Sequence, residues 1–306
     1  MIPMENNPAA AWICALAGIV LHGAALARSL GKRGKLSPKT AAVLLLPGLL
    51  GLLSARGGFE LLGWDTEYAS FRWCYTTGLL GLAAGTALAA RAAGAKILPA
   101  LDETAAAACL CMAAARLSQR WLGETGVGPI LENEGILTMI NEWEEPVLAA
   151  WIIETGICLL AAAATAVLSR RRPRAAGGTF CAAVHFLMNP QILAEQFRSG
   201  EYLKFMMMRL EQALFALAGL GTLIWLCERY RRAAGGSGAA AYAPAAGYLA
   251  AAGIIALSEF MLDGKLIEAP ASVSWALFGA AAAGMTALAV YAVRRLDRKT
   301  GGTEEN

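Results

Sequence analysis

The sequence contains few charged residues for a chain of 306 residues. Aspartate, glutamate, lysine and arginine together make up 16% of it, whereas hydrophobic residues make up 57%. A typical soluble domain carries about 25% charged residues. The composition therefore excludes an ordinary soluble protein and indicates a protein that is embedded in a membrane.

Histidine is also scarce, and cysteine follows no metal-binding pattern. The two histidines, His22 and His185, lie far apart on predicted helices, where a buried structural role is expected. The seven cysteines lie in or beside apolar runs, without the spacing of zinc sites or disulfide frameworks. We therefore predict no metal and no cofactor. The net charge of +3 does not indicate nucleic-acid binding, because the basic residues are sorted by loop.

Long apolar segments dominate what is present. A membrane-spanning helix needs about 20 mostly apolar residues. Nine segments approach this length, and we predict an all-α, polytopic helical bundle from them. The second segment is short, and Pro47 interrupts it. The predicted spans are residues 9–27, 40–55, 73–91, 99–116, 147–169, 177–197, 204–227, 239–262 and 271–293.

The distribution of lysine and arginine predicts the orientation. Most of the 26 basic residues follow the first, third, fifth, seventh and ninth segments. Basic loops stay on the cytoplasmic side, so the N-terminus is predicted outside, the C-terminus inside and the acidic loop 117–146 outside. Ala233–Ala240 has the composition of a linker. It divides the chain into a seven-helix core, 1–232, and a two-helix appendix with a basic tail, 233–306.

Several ionisable residues fall inside the predicted spans, close to their outer ends. Such groups are costly in lipid and are functional candidates by default. The polar residues at this depth are Arg72, Arg116, Glu154, Glu195, Arg198, Arg209, Glu211, Gln212 and Glu259. An ion conduit would need polar groups through the whole thickness, and the inner halves of these segments carry almost none. The pattern favours a pocket at the outer leaflet, where an arginine fork matches a phosphate group.

Structural interpretations of these charges remain open at this point. Arg198 is long enough to reach the interface with its charged end while its stem stays in lipid. Glu195 and Arg198 are three residues apart and could form a pair on a helix surface. Arg116 and Glu124 could form an ion pair that only anchors the loop. A purely structural role is hardest to assign to Glu154, which lies well inside an apolar segment.

The order of these residues resembles the bacterial prolipoprotein diacylglyceryl transferases over about residues 10–230. The family signature is Arg-x-Gly-Asn-x-x-x-x-Glu-x-x-Gly. Arg116, Gln119 in the asparagine place and Glu124 match its frame, while Gly126 and Gly128 flank the place of the last glycine.

Later segments of the family also have counterparts. Glu154 takes the place of the glutamate in a stretched His-Pro-x-Gln-x-x-Glu segment. Glu195 and Arg198 match the last two charges of Arg-x-x-x-Glu-x-x-Arg, with Gln191 in place of the first arginine. Gln212 occupies the frame of the family's Met-Gly-Gln.

Two departures bear on activity. The family's His-Gly-Gly-x-x-Gly reads Thr-Thr-Gly-Leu-Leu-Gly from Thr76 to Gly81, so the histidine is absent. The first arginine of the later segment is Gln191. The two C-terminal helices have no counterpart in the family core.

The resemblance implies a multi-pass enzyme of the bacterial cell membrane. It would transfer the diacylglyceryl group of phosphatidylglycerol to the lipobox cysteine of a prolipoprotein signal peptide, among membrane lipids and without nucleic acid. Arg116 would hold the phosphate and Glu124 would orient it. The expected substrate-binding residues are Gln119, Glu154, Gln191, Glu195, Arg198 and Gln212. The alternative is a catalytically impaired relative that binds phospholipid or lipoprotein signal helices. A small transporter fits less well, because the inner halves of the helices lack polar residues.

Overall fold

The chain is largely helical in this computed structural model, which describes residues 2–3, 5–38, 40–61, 73–123, 127–132, 135–170, 175–198, 204–205, 208–235, 238–262 and 270–300. Within these residues, nine α-helices follow one another: α1 (Pro8–Lys32), α2 (Leu46–Leu61), α3 (Tyr75–Ala92), α4 (Ile97–Ser118), α5 (Ala150–Ser169), α6 (Gly178–Ala194), α7 (Leu210–Ala233), α8 (Ala243–Leu262) and α9 (Ala271–Thr300).

Seven helical segments of the described chain are long and apolar enough to cross a membrane. They contain α1, α2, α4, α5, α7, α8 and α9, in some cases extended by a 3-10 turn. This confirms the prediction of an all-α, multi-pass membrane bundle. The spans predicted at 73–91 and 177–197 form α3 and α6, which have 18 and 17 residues and are not among the seven.

Pro47 does not interrupt the second helix. A 3-10 helix, Ala41–Leu45, comes first, and α2 begins at Leu46. Pro47 therefore lies in the first turn of α2, where its missing N–H would have no partner within the helix in any case. The prediction of a short, interrupted second span was wrong. Pro47 lies at the beginning of the α-helix, and α2 continues to Leu61.

Short strands complete the fold, and the acidic loop 117–146 contains β2 and leads into β3. β1 (Ile2–Pro3) pairs in parallel with β2 (Thr138–Ile140), which pairs antiparallel with β3 (Pro146–Leu148). Asn141 closes the β2–β3 turn: its Oδ1 accepts hydrogen bonds from the backbone N–H groups of Trp143 and Glu145 at 3.0 and 2.8 Å. β4 (Lys204–Phe205) and β5 (Met208–Arg209) form a second, two-stranded pair.

The described residues group into two compact units. Met1–Ala163 and Ala194–Leu203 belong to the first unit, and Ala164–Leu193 and Lys204–Asn306 to the second. The boundary at residue 232 that the linker composition indicates remains a prediction.

Glycine allows close helix packing in the first unit. Gly81 and Gly85 are four residues apart on α3 and face the first half of α2. A Cβ atom on Gly85 would lie 2.6 Å from the carbonyl oxygen of Leu46 and 2.6 Å from the Cα of Pro47. Small residues at this spacing let two helix backbones approach closely, which is how helices associate in lipid without a hydrophobic driving force.

The glycine contact predicts a specific loss of stability. Gly85→Ala would push a methyl group into the α2 backbone, which cannot move as a flexible side chain would. Overpacking of this kind costs about 1–3 kcal/mol, so the melting temperature of the purified protein in detergent should fall. Gly57→Ala in α2 is the matched control, because a Cβ there meets nothing within 4 Å. Equal melting temperatures for the two variants would contradict this packing.

Candidate functional site

Four charged side chains of the first unit meet in one place. Arg116 comes from the last turn of α4, Glu154 from the start of α5, and Glu195 and Arg198 from the turn that follows α6. Arg116 Nη1 lies 3.3 Å from Glu154 Oε2, and Arg116 Nη2 lies 3.0 Å from Glu195 Oε1. We call Arg116, Glu154, Glu195 and Arg198 the buried charge cluster.

Arg198 contacts the same two carboxylates as Arg116. Its Nε lies 3.0 Å from Glu154 Oε1, and its Nη1 lies 3.9 Å from Glu195 Oε2. Each arginine therefore contacts both carboxylates, and the cluster is electrically neutral. All four residues are buried, and Arg198 is the most exposed of them at 7%. Arg198 is thus not a snorkelling residue, and its pairing with Glu195 is not a helix-surface contact.

Two local structures hold Arg116 and Glu154 in position. α4 continues into the 3-10 turn Gln119–Trp121, and the backbone N–H of Asn7 donates to the carbonyl of Trp121 at 2.9 Å. The start of α5 is tied to the small sheet, because the N–H of Ala149 donates to Leu137 at 2.8 Å. The indole N–H of Trp151 donates to the sulfur of Met139 at 2.9 Å. These bonds set the position from which Glu154 extends.

Gly128 explains how the loop after α4 reaches the turn after α6. A Cβ atom at this position would collide with the carbonyl oxygen of Phe197 and would lie 2.9 Å from the Cβ of Leu148. Only glycine permits this approach of two backbones. Gly128 is one of the two glycines that flank the expected position in the signature, and the contact gives it a physical reason.

Tyr75 joins the site although the sequence did not predict it. The guanidinium carbon of Arg116 lies 3.9 Å from the centroid of the Tyr75 ring, a cation–π contact. The side-chain N–H of Gln119 donates to the Tyr75 hydroxyl. Gln119 therefore belongs to the site through Tyr75. The available signal was that Tyr75 immediately precedes Thr76, which stands where the family has histidine.

An apolar cavity of about 100 Å³ lies among α1, α2, α3 and α4. Its lining includes Ser118 and Tyr75, and Tyr75 contacts Arg116. The remaining lining is mostly small or aliphatic, with two aromatic rings, Trp12 and Trp73, packed edge to face at 5.3 Å. The cavity suits hydrocarbon rather than a polar solute.

Other predicted residues lie elsewhere. Glu124 lies outside the described residues. Gln191 and Gln212 belong to the second unit, where both are buried. The Gln212 amide donates to the carbonyl of Ile192 at 2.9 Å, and its oxygen accepts from the backbone N–H of Arg209 at 2.9 Å. Gln212 thus caps the start of α7 and fixes it to α6, which is a structural contact.

Neither histidine lies in the buried charge cluster. His22 Nε2 is 2.9 Å from the hydroxyl of Thr86, and His185 Nε2 is 3.2 Å from the hydroxyl of Thr222. Both are buried, as the sequence predicted. Among the described residues, no group of three or more histidine, cysteine, aspartate or glutamate side chains could hold a metal ion.

The cluster predicts a charge-dependent stability. Glu154→Gln would leave an unpaired positive charge among buried groups, and breaking a buried pair costs about 3–5 kcal/mol. Glu154→Gln combined with Arg198→Gln restores neutrality and keeps the Arg116–Glu195 pair, so the double variant should unfold at a higher temperature than the single one. Thermal unfolding in nanodiscs measures both.

The control pair for this test is Arg56 and Glu60, an i,i+4 ion pair whose side chains are half exposed. Glu60→Gln should change stability by no more than about 1 kcal/mol, because exposed pairs contribute little. If Glu154→Gln lowered the free energy of unfolding no more than Glu60→Gln, the four charges would not form the neutral buried cluster described above.

Comparisons with known proteins do not place the chain in a family: no protein-family model matches it, and no curated protein does. The functional conclusion therefore depends on the geometry of the buried charge cluster and of the cavity beside Tyr75.

Proposed function

We propose that this protein is a phosphatidylglycerol:prolipoprotein diacylglyceryl transferase-like membrane enzyme. The observation that carries the proposal is the convergence of Arg116, Glu154, Glu195 and Arg198 in one buried site. Charged side chains at membrane depth are expensive and are typical of functional sites. Chain segments far apart in sequence supply the four residues, so the cluster is a feature of the tertiary structure rather than of one helix.

Arg116 is suited to hold the phosphate of a phospholipid. Its guanidinium is oriented by two carboxylates and by the Tyr75 ring, and its Nε has no hydrogen-bond partner among the described residues. A guanidinium fork matches two phosphate oxygens. Because the donors are already oriented and little water reaches them, they can stabilise charge that develops on a leaving phosphate.

The cavity beside Tyr75 supports a lipid rather than a water-soluble phosphate. Its walls are mostly apolar, and Tyr75 both lines the cavity and contacts the Arg116 guanidinium. If Arg116 bound the headgroup of a lipid, part of the lipid's hydrocarbon could enter this cavity, because Tyr75 lies beside both.

The proposed reaction forms one bond and breaks one. The cysteine sulfur attacks the glycerol carbon next to the phosphate, the carbon–oxygen bond breaks, and glycerol phosphate leaves with the electron pair. The thiolate is the attacking form, so the thiol proton must be removed first. The carboxylates of Glu154 and Glu195 are the cluster's candidates for accepting it, and Arg116 stabilises the leaving phosphate.

A second candidate function is phospholipid or signal-helix binding without turnover. The observation that favours it is the internal neutrality of the cluster, in which each arginine already contacts two carboxylates. Both histidines are hydrogen-bonded to helix hydroxyls, and neither is one of the four cluster residues. Such a protein would hold an anionic lipid but release no glycerol phosphate.

The proposal includes an orientation. With the N-terminus outside and the C-terminus in the cytoplasm, the ends of α4 and α6 and the start of α5 face the outer leaflet, where prolipoprotein cysteines emerge. The proposal keeps 1–232 as the transferase-like core and 233–306 as an appendix, in the cell membrane of a bacterium.

Arg116→Lys tests the proposal directly. Lysine keeps the charge but loses the two-pronged donor geometry, so the rate of diacylglyceryl transfer should fall about 10²–10³-fold, as for loss of a charge-stabilising donor. The assay is the mass shift of a lipobox peptide mixed with phosphatidylglycerol vesicles and the purified protein. Arg120→Lys is the matched control, since Arg120 is partly exposed and lies 3.7 Å from Glu5.

Product analysis separates the two candidate functions. An enzyme releases one glycerol phosphate for each peptide modified, whereas a binding protein retains phosphatidylglycerol and releases none. Unchanged transfer by a folded Arg116→Lys variant would remove Arg116 from the mechanism. Restored growth of a bacterium that lacks its own transferase would support the enzyme.

A further inference from the structure

An open groove of about 790 Å³ runs along one face of α9 in the second unit. Its walls come from α9 itself and from Pro190 and Leu193 of α6. The volume lies in the range of ordinary small-molecule sites, about 300–1,000 Å³. No residue of the groove belongs to the buried charge cluster.

The groove changes from apolar to basic along its length. Gly279, Ala283 and Ala287 follow one another at intervals of four residues, so they lie on one face of α9 and leave space above the helix. Tyr291 comes next on the same face, and Arg294 and Arg298 follow it. The floor of the groove therefore consists of small residues, which are followed by a tyrosine and then by two arginines.

Two arginines at this end, Arg294 and Arg298, are exposed to a ligand. Arg294 and Arg298 are exposed, and neither has an ion pair or side-chain hydrogen bond within the described part of the chain. The third groove arginine, Arg295, differs: it lies over the ring of Tyr230 at 3.9 Å and donates to the carbonyl of Ala240 at 3.2 Å. The groove thus presents two guanidinium groups to a ligand.

Among the described residues that line it, the apolar part of the groove offers a polar solute no free side-chain hydrogen-bond donor. Thr286 is the hydroxyl residue of its lining, and its Oγ1 donates to the carbonyl of Ala282 at 3.1 Å. The same oxygen accepts a hydrogen bond from Asn189 at 3.1 Å. The hydroxyl's only donor and one of its two acceptor positions are therefore occupied within the protein, so the floor favours hydrocarbon.

We propose that this groove is a binding site for an anionic glycerophospholipid of the surrounding bilayer. An acyl chain would lie over Gly279, Ala283 and Ala287, and the phosphate would contact Arg294 and Arg298. Tyr291 would lie between the acyl chain and the phosphate, as aromatic residues do at the headgroup level. Charge complementarity selects the occupant, because a basic pocket beside transmembrane helices attracts anionic headgroups. The groove shares no residue with the proposed transferase centre, and the proposal does not depend on that centre.

Photo-crosslinking with peptide mapping tests this site. The purified protein is placed in nanodiscs that contain phosphatidylglycerol with a diazirine in its acyl chain, or the matching phosphatidylcholine probe. Adducts of the phosphatidylglycerol probe should concentrate on peptides of α9 and of the end of α6. Arg294→Gln with Arg298→Gln should reduce these adducts about tenfold or more, given roughly 1 kcal/mol per basic residue near a lipid surface.

Two matched controls accompany this variant. Arg28→Gln with Arg91→Gln removes the same charge from exposed helix positions outside the groove and should leave the adducts unchanged. Ala287→Leu should fill the groove and displace the probe from α9, whereas Ala250→Leu, at an exposed position of α8, should not.

Three results would overturn the proposal. Equal labelling by the phosphatidylcholine probe would mean that the groove holds only ordinary boundary lipid. Equal loss of adducts in the two double-arginine variants would mean that charge acts at a distance. Crosslinks from α9 to a second copy of the chain, in place of lipid, would make this face an interface between protomers. Loss of diacylglyceryl transfer in an Arg116 variant would not change the labelling of α9, so the two proposals can fail independently.

Discussion

Mutual neutralisation of buried charge is the constraint on which the first unit depends. A carboxylate or guanidinium that is buried alone costs several kcal/mol, so none of the four charges could remain in this position without its partners. The ring of contacts among Arg116, Glu154, Glu195 and Arg198 removes that penalty. It also orients the Arg116 guanidinium against Tyr75. The same contacts that stabilise the unit therefore hold in place the guanidinium that we propose binds a phosphate.

Polar groups in the second unit follow the same rule with neutral side chains. Asn189 accepts a hydrogen bond from the Tyr248 hydroxyl at 2.9 Å and donates to Thr286 at 3.1 Å, and His185 contacts Thr222. These bonds join α6 to α7, α8 and α9. Because lipid offers no competing partners, each polar group must be satisfied within the protein. In this network Thr286, which also lines the α9 groove, is hydrogen-bonded to Asn189. The rest of the groove floor consists of small and aliphatic residues.

Sequence reasoning located the charged residues better than their surroundings. Arg116, Glu154, Glu195 and Arg198 could be singled out because charge in an apolar segment has few ordinary explanations. Tyr75 could not, since an aromatic residue at the start of a helix is common. The β2–β3 pair was also missed: its strands have three residues each, too few to show an alternating pattern. The place of Pro47 was misjudged because a 3-10 turn precedes α2.

Composition and hydropathy alone determined that this is a polytopic helical membrane protein, because hydrocarbon demands long apolar segments with their backbone bonds satisfied internally. They also determined which charges are unusual for their depth. Only the tertiary structure decided that these charges form one neutral cluster, since a salt bridge between Arg116 and Glu195 joins residues separated by 79 positions. The reason is that depth in a membrane can be read along one helix, whereas the direction each helix faces is decided by packing against its neighbours.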